Sequence, residues 1–352
     1  MGGYLRLPPG AFPALADEGA HADLVGPHAR GEEQPVKVLF VVSSGRSGST
    51  VIDRMLGQFP GVWGAGEISW IWESSLLNNG RCGCGAKFHE CPQWNKVFDL
   101  LGGMDAVDAE AMVAFWRRDD KMLGPHFPRL LSRSGRRSIP EFTDAARVLE
   151  LLMAAMRRVA SCRVIVDTTK NPFHYAYLQK SPVVDPYLLL LLRDPRAVAY
   201  SWARPKKELG YDDGRPMPRE PLVKSALWWD LIVQFTSMFG RDRPERFMVL
   251  RYEEFVEAPR RVLDEIGEFC GEKWDWSGVE VPGADDEFRV GLNHSVWGNP
   301  MRFSDETLRV RPDERWKAMP PGQKAVVAAL CAPWMLRTGY LGSGSRSGSR
   351  GA

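Results

Sequence analysis

The sequence predicts an α/β fold: three layers, α/β/α, around a central parallel sheet, with helical and loop insertions on one side. Three observations carry this. Apolar, β-branched runs of strand length recur at Val36–Val42 and at residues 163–167, 186–192 and 246–250. They are too continuously apolar for a sheet with one wet face. Helical periodicity alternates with them: at Ile52, Met55, Leu56 and Phe59, through Asp144–Ala160, after Pro195, and through residues 224–239 and 259–270. Such alternation closes into a parallel sheet through right-handed crossovers. Finally, the first strand meets the first helix through a loop of small residues.

That loop reads Ser43-Ser44-Gly45-Arg46-Ser47-Gly48-Ser49-Thr50. A small-residue turn from a strand into a helix N-terminus holds a phosphate well. Glycine lets the backbone approach, successive N–H groups converge on the anion, and the helix dipole favours negative charge. The fold is therefore of the phosphate-binding-loop (P-loop) type. The loop is not a Walker A motif, because no Lys follows and the cation is Arg46, inside the loop. An ordinary Ser/Gly turn is the alternative, but the strand before it, the helix after it and the Arg inside it favour an anion site.

Composition narrows the class. The chain has 352 residues, 44% apolar and 26% charged, ordinary for a globular enzyme. A formal charge of +2 argues against general nucleic-acid binding. No apolar run reaches the length of a membrane span, and the N-terminus lacks a secretory pattern, so a soluble, cytoplasmic protein is expected. Residues 1–34 read as a flexible leader, 35–340 as one domain with an insertion near 80–143, and 341–352 as a disordered tail.

Several stretches carry chemistry. Glu67 lies in Gly64-Ala65-Gly66-Glu67-Ile68-Ser69-Trp70, with Trp63 and Trp72 nearby. Partial burial among these rings would raise its pKa toward the range of a general base, whereas most glutamates are surface acids. Lys170 follows the second strand, where open α/β sheets bind ligands; a surface Lys is equally ordinary there. Arg193 ends the third strand. Asp194 and Pro195 make a good cap and first helical residue, which places Ser201 nearly two turns into the helix. Arg193 and Ser201 could hold a second phosphate, or Arg193 could simply pair with Asp194. Arg129, Arg133, Arg136 and Arg137 form a basic cluster, usually a solvated face. Cys82, Cys84, His89 and Cys91 fit zinc spacing poorly, so a local disulfide or a plain Gly-rich loop is expected and no metal. Residues 294–303 are polar, aromatic and broken by Gly and Pro, suiting a loop that closes over a nucleotide or an ordinary surface loop.

In combination these motifs resemble sulfotransferases that use 3′-phosphoadenosine 5′-phosphosulfate (PAPS). SSGRSGST resembles their 5′-phosphosulfate loop and LLRDPRAVAYS their 3′-phosphate motif. VDTTKNPF, RYEEF, HSVWGNPMRF and CGCGAKFHEC are similar to a bacterial branch related to Golgi carbohydrate and protein-tyrosine sulfotransferases. The resemblance spans roughly residues 36 to 340. It implies that Ser44, Gly45, Arg46, Ser47, Gly48, Ser49 and Thr50 hold the 5′-phosphosulfate, and that Arg193 and Ser201 hold the 3′-phosphate. It implies that Tyr252, Asn299 and Arg302 contact the nucleotide, that Glu67 is the base, and that Lys170 lies near the transferring group.

The expected reaction is metal-free sulfuryl transfer from PAPS to a hydroxyl of a small-molecule, carbohydrate or lipid acceptor, leaving 3′-phosphoadenosine 5′-phosphate (PAP). Arg46, Glu67 and Lys170 would carry the chemistry, with His294 or His174 next in line as base. Secondary metabolism is one setting for such an acceptor. A P-loop kinase using ATP and a non-catalytic nucleotide-binding protein are the alternatives. The acceptor would be read by residues 80–140 and by the Pro-, Lys- and Arg-rich loop 203–221.

Overall fold

The strands Val36–Val42 (β1), Val62–Gly66 (β2), Val164–Asp167 (β3), Val184–Leu192 (β4) and Phe247–Arg251 (β5) form one sheet in the order β2-β3-β1-β4-β5. Every pairing is parallel. The structure, a computed structural model, describes residues 23–25, 34–119, 132–134, 144–214, 216–279, 287–303, 307–310 and 313–341. The expected leader, apart from 23–25 and 34, and the expected tail, apart from 341, lie outside the described residues, as do Arg129, Arg136 and Arg137. Arg133 is described and pairs with Asp242 at 3.4 Å.

The apolar runs serve two faces at once. Along β1, Val36, Val38, Phe40 and Val42 pack into one layer, with the helix Asp144–Ala160 above them. Leu39 and Val41 point the other way, onto the helices Ser49–Leu56 and Pro259–Phe269. On β4, Leu190 and Leu192 meet a third cluster under the helices Pro195–Ala203 and Leu222–Asp242. Period-two alternation between two buried faces explains why Val38–Val42 and Leu188–Leu192 carry no polar positions. The three-layer α/β expectation therefore stands.

The sequence reading did not include β2. Val-Trp-Gly-Ala-Gly looks like a turn, yet it pairs along β3 at the sheet edge, Val62 opposite Val164 and Trp63 opposite Ile165. Gly64 is there because the helix Ser49–Leu56 passes close by: a Cβ would sit 2.7 Å from the Asp53 carbonyl. The same helix ends at Leu56, short of Phe59, which is nonetheless buried and stacks on Trp274 with ring centres 5.2 Å apart. Near the C-terminal end of the described residues lie two helices, Pro321–Leu330 and Ala332–Arg337. Pro333 cannot continue the first one. A short helix, Phe173–Leu178, and an antiparallel pair, β6 (Glu287–Arg289) with β7 (Thr307–Arg309), complete the architecture. Among the described residues no helix is long and apolar enough to cross a membrane.

The chain leaves β1 toward β2 and β3 on one side of the sheet, and leaves β4 toward β5 on the other. The connections diverge between β1 and β4. Their carboxyl ends therefore border a crevice, the usual ligand position in open α/β sheets.

Candidate active site

The loop after β1 is shaped by its backbone. Arg46 and Gly48 both have positive φ, 72° and 94°. A side chain at Gly48 would collide with Tyr252, whose ring lies 2.2 Å from the position of a Cβ. Ser47 Oγ donates to the Ser44 carbonyl at 2.7 Å and lies 3.1 Å from Ser44 Oγ, so these two hydroxyls brace the loop. Ser49 and Thr50 open the helix behind it.

The second motif closes on the first. Asp194 caps the helix Pro195–Ala203 by accepting from the Arg196 N–H. Arg193 is thereby freed from the alternative role of pairing with Asp194, because Arg196 takes that carboxylate at 2.6 Å. Arg193 Nη1 instead donates to the Arg46 carbonyl at 2.9 Å, across the crevice. Its guanidinium lies 5.2 Å from the centre of the Tyr252 ring. From the same helix Ser201 is buried, and Trp202 Nε1 donates to the Gly45 carbonyl at 3.1 Å. Arg46 itself lies over Trp202 at 4.9 Å, and its Nε is buried with no hydrogen-bond partner among the described residues.

A further cation gathers here that sequence reasoning missed. Burial, then the charges of Arg46 and Arg193, bring the Lys206 ammonium down to about 8. Burial also lowers Arg46, against the pull of Glu67 and Glu208. Mutually repelling, partly desolvated cations around a strand-to-helix turn are what a polyanion would relieve. Lys206 was hidden because loop 203–221 has no periodicity and several other basic residues.

Glu67 follows β2, on the opposite wall. It is buried, and Lys170 Nζ approaches its Oε1 at 2.8 Å. Lys170 also donates to the Thr168 carbonyl at 2.8 Å. The sequence brought each of these residues forward separately, and the structure makes them a pair. Asp167, at the end of β3, holds both turns: its carboxylate accepts from the N–H groups of Ile68 and Thr169 at 3.3 and 2.8 Å. Asp53 reaches up from the helix Ser49–Leu56 to accept from the Gly66 N–H at 3.1 Å. Burial pushes the Asp53 carboxyl up to about 7.

Residues 293–303 connect the two walls. The Asn299 N–H donates to Thr50 Oγ1 at 3.3 Å, and the Glu67 N–H to the Trp297 carbonyl at 3.4 Å. A Cβ on Gly298 would lie 3.2 Å from Thr50 Oγ1 and 3.8 Å from Glu67 Oε1, so the base candidate and the helix behind the loop after β1 share this glycine as neighbour. Arg302 is fully buried and donates to the carbonyls of Ser295 and Arg81, at 2.9 and 2.8 Å. Burial draws its guanidinium down to about 10.

Other candidates settle elsewhere. Trp63 and Trp72 are core residues, whereas Trp70 is 39% exposed and stacks on Trp297 at 5.3 Å, with Tyr211 at 6.1 Å from Trp297. His174 is buried beside Trp116, its Nδ1 3.4 Å from Asp167. His294 Nδ1 faces Cys91 Sγ at 3.3 Å. Of the two expected readings of the cysteine loop, a local disulfide or a plain Gly-rich loop, the first is corrected: Cys82, Cys84 and Cys91 are free.

The model of a family described as the sulfotransferase family matches residues 39–276, from β1 to beyond the helix Pro259–Phe269. No curated protein matches the chain. Among solved structures it is similar to the sulfotransferase domain from the Synechococcus PCC 7002 olefin synthase, 20% identical over 86% of this chain and 95% of that one, with a TM-score of 0.46. The sulfotransferase domain from the curacin biosynthetic pathway is 15% identical, with coverages of 85% and 99% and a TM-score of 0.47. Sulfotransferase STF9 from Mycobacterium avium is also 15% identical, with coverages of 75% and 71% and a TM-score of 0.39.

Proposed function

The chain belongs to the sulfotransferase family, and on that premise we propose that it transfers a sulfuryl group from PAPS to a hydroxyl of a small-molecule, carbohydrate or lipid acceptor. The observation that carries this reading is the Glu67–Lys170 pair beside a cation-ringed phosphate loop. The residues fit the donor. Backbone N–H groups of the loop after β1, with Ser49 and Thr50, suit the 5′-phosphosulfate. Arg193 and Ser201 suit the 3′-phosphate, and the buried, unpartnered Arg46 Nε suits an anion. Tyr252 and Asn299 border the same crevice.

PAPS supplies the activated sulfuryl group. Glu67 takes the proton of the acceptor hydroxyl as its oxygen forms the new bond to sulfur. The bond from sulfur to the bridging phosphate oxygen breaks, and its electron pair leaves with PAP. Arg46 and Lys170 offset the charge that grows on that oxygen. Lys170 also orients Glu67 before the acceptor arrives. By analogy with loose phosphoryl transfer, most of the rate comes from alignment and charge stabilisation. Arg302 serves best as the residue that fixes residues 293–303 in place, since its donors are committed to backbone carbonyls. We assign residues 80–119 to the acceptor cap; the rest of the expected insertion, apart from 132–134, lies outside the described residues. Trp70, three residues after Glu67, stacks on Trp297, whose carbonyl accepts from the Glu67 N–H, and we assign this pair to the acceptor.

Calorimetric titration with PAP, beside ATP with and without magnesium, tests this reading. Tight, metal-independent binding of PAP that Arg193→Ala weakens by roughly tenfold or more is expected. Binding of magnesium–ATP alone would replace the reading with a kinase.

A further inference from the structure

The cysteine loop does something the sequence did not foretell. Cys82, Cys84 and Cys91 are separated from His294 by about two hundred residues, yet their three Sγ atoms and one ring nitrogen lie within 4.8 Å of one another. The separations are Cys84–Cys91 3.8 Å, Cys82–Cys91 3.6 Å, Cys82–His294 3.7 Å and Cys91–His294 3.3 Å. These are four of the six edges of a tetrahedron, and the other two, Cys82–Cys84 and Cys84–His294, are no longer than 4.8 Å. A zinc ion with bonds of about 2.3 Å to sulfur and about 2.05 Å to nitrogen sets sulfur–sulfur edges near 3.8 Å and sulfur–nitrogen edges near 3.6 Å.

We infer that Cys82, Cys84, Cys91 and His294 form a closed, structural zinc site that fastens the cysteine loop to residues 293–303. Three thiolates and an imidazole in a tetrahedral set favour zinc over the oxygen-seeking cations. On loading, the three thiols release their protons to solvent. Four protein ligands leave no position for a substrate, which separates this site from the chemistry at Glu67.

The surroundings are built for such a clasp. The Cys82 N–H donates to the Ala86 carbonyl and the Gly85 N–H to the Cys82 carbonyl, both at 2.9 Å, so the chain curls around the cysteines. The Gly83 N–H donates to the Ser295 carbonyl at 2.9 Å. A Cβ on Gly83 would lie 2.0 Å from Asn293 Oδ1, so the two loops pack closer than any other residue permits. Trp94 Nε1 holds the His294 carbonyl at 2.8 Å. The next residues, through Val296 to the Ala65 carbonyl and through Trp297 to Glu67, hydrogen-bond to β2 and the turn after it. A metal at the cysteines would therefore steady the segment that contacts Glu67.

The test is metal analysis of the full chain purified without chelator or added metal. About one zinc per chain is expected. It should fall to background in Cys91→Ser and in His294→Ala, and persist in Cys162→Ser, whose thiol lies outside the cluster. Because ligand variants can fail to fold, the wild-type chain carries an independent arm. Exchange into cobalt(II) should give the thiolate-to-metal charge-transfer band and the intense visible bands of tetrahedral cobalt. Cys84, which is half-buried, should resist alkylation until a chelator removes the metal. Metal-free protein with reduced thiols and no cobalt spectrum would overturn the inference. So would zinc retained in both ligand variants, or a disulfide among Cys82, Cys84 and Cys91 in peptides mapped without reductant.

Discussion

Glu67 is a buried carboxylate that acquires its meaning from one neighbour, Lys170 at 2.8 Å. Replacing it with Gln keeps the shape and removes the proton acceptor. Glu67→Gln should leave PAP affinity within about twofold while turnover falls by roughly two or more orders of magnitude; unchanged turnover with the natural acceptor would remove Glu67 as base. Lys206 offers a second, pH-resolved test. Its ammonium titrates near 8, so it is charged below that pH and neutral above it. PAP affinity should therefore decline as pH rises through about 8, by roughly three- to tenfold beyond the change in Lys206→Met. Parallel pH profiles in the two proteins would place Lys206 outside the anion site.

At the scale of elements, the site depends on how the helix Ser49–Leu56 supports β2. Asp53 is buried and accepts from the Gly66 N–H, one residue before Glu67. Burial raises its carboxyl from the usual range to about 7. The folded chain therefore binds a proton more tightly than the unfolded one. Stability is greatest below the unfolded pKa and is lost as pH climbs from about 4 to about 7, by an amount on the order of a few kcal/mol. Asp53→Asn keeps an acceptor oxygen for Gly66 and cannot ionise. Denaturant unfolding should show this slope in the wild type and a flatter profile in the variant; equal slopes would assign the pH dependence to other groups. The sequence did not mark Asp53, because an Asp at that point of an amphipathic helix reads as part of its polar face. Only the edge strand laid across it takes the carboxylate out of water.

Across the whole molecule, the parallel sheet assembles the candidate site from segments that are far apart in the chain. The loop after β1 and Arg193 after β4 meet where the strand connections diverge. Glu67 after β2 and Lys170 after β3 meet on the other side, and residues 293–303 run between them. The stacked pair Trp70 and Trp297 stands beside this junction, contributed by two of the segments. Trp70→Ala should raise the acceptor KM several-fold with PAP binding unchanged, as removal of an aromatic contact worth about 1 kcal/mol does. A loss confined to PAP affinity would instead assign the pair to the nucleotide side.

The sequence alone determined the layers and the small-residue loop after β1. Val38–Val42 is continuously apolar because both faces of a parallel strand are buried, and the loop from Ser43 to Thr50 is rich in small residues because its backbone passes close to Trp202 and Tyr252. Both leave their mark on consecutive residues, so periodicity and composition record them. Tertiary structure decided the partnerships: Lys170 with Glu67, Lys206 with Arg46 and Arg193, and His294 with Cys82, Cys84 and Cys91. It also decided that Gly64 belongs to an edge strand. Those facts depend on which segments the sheet order makes adjacent, and charge, coordination and burial act through space without regard to sequence distance.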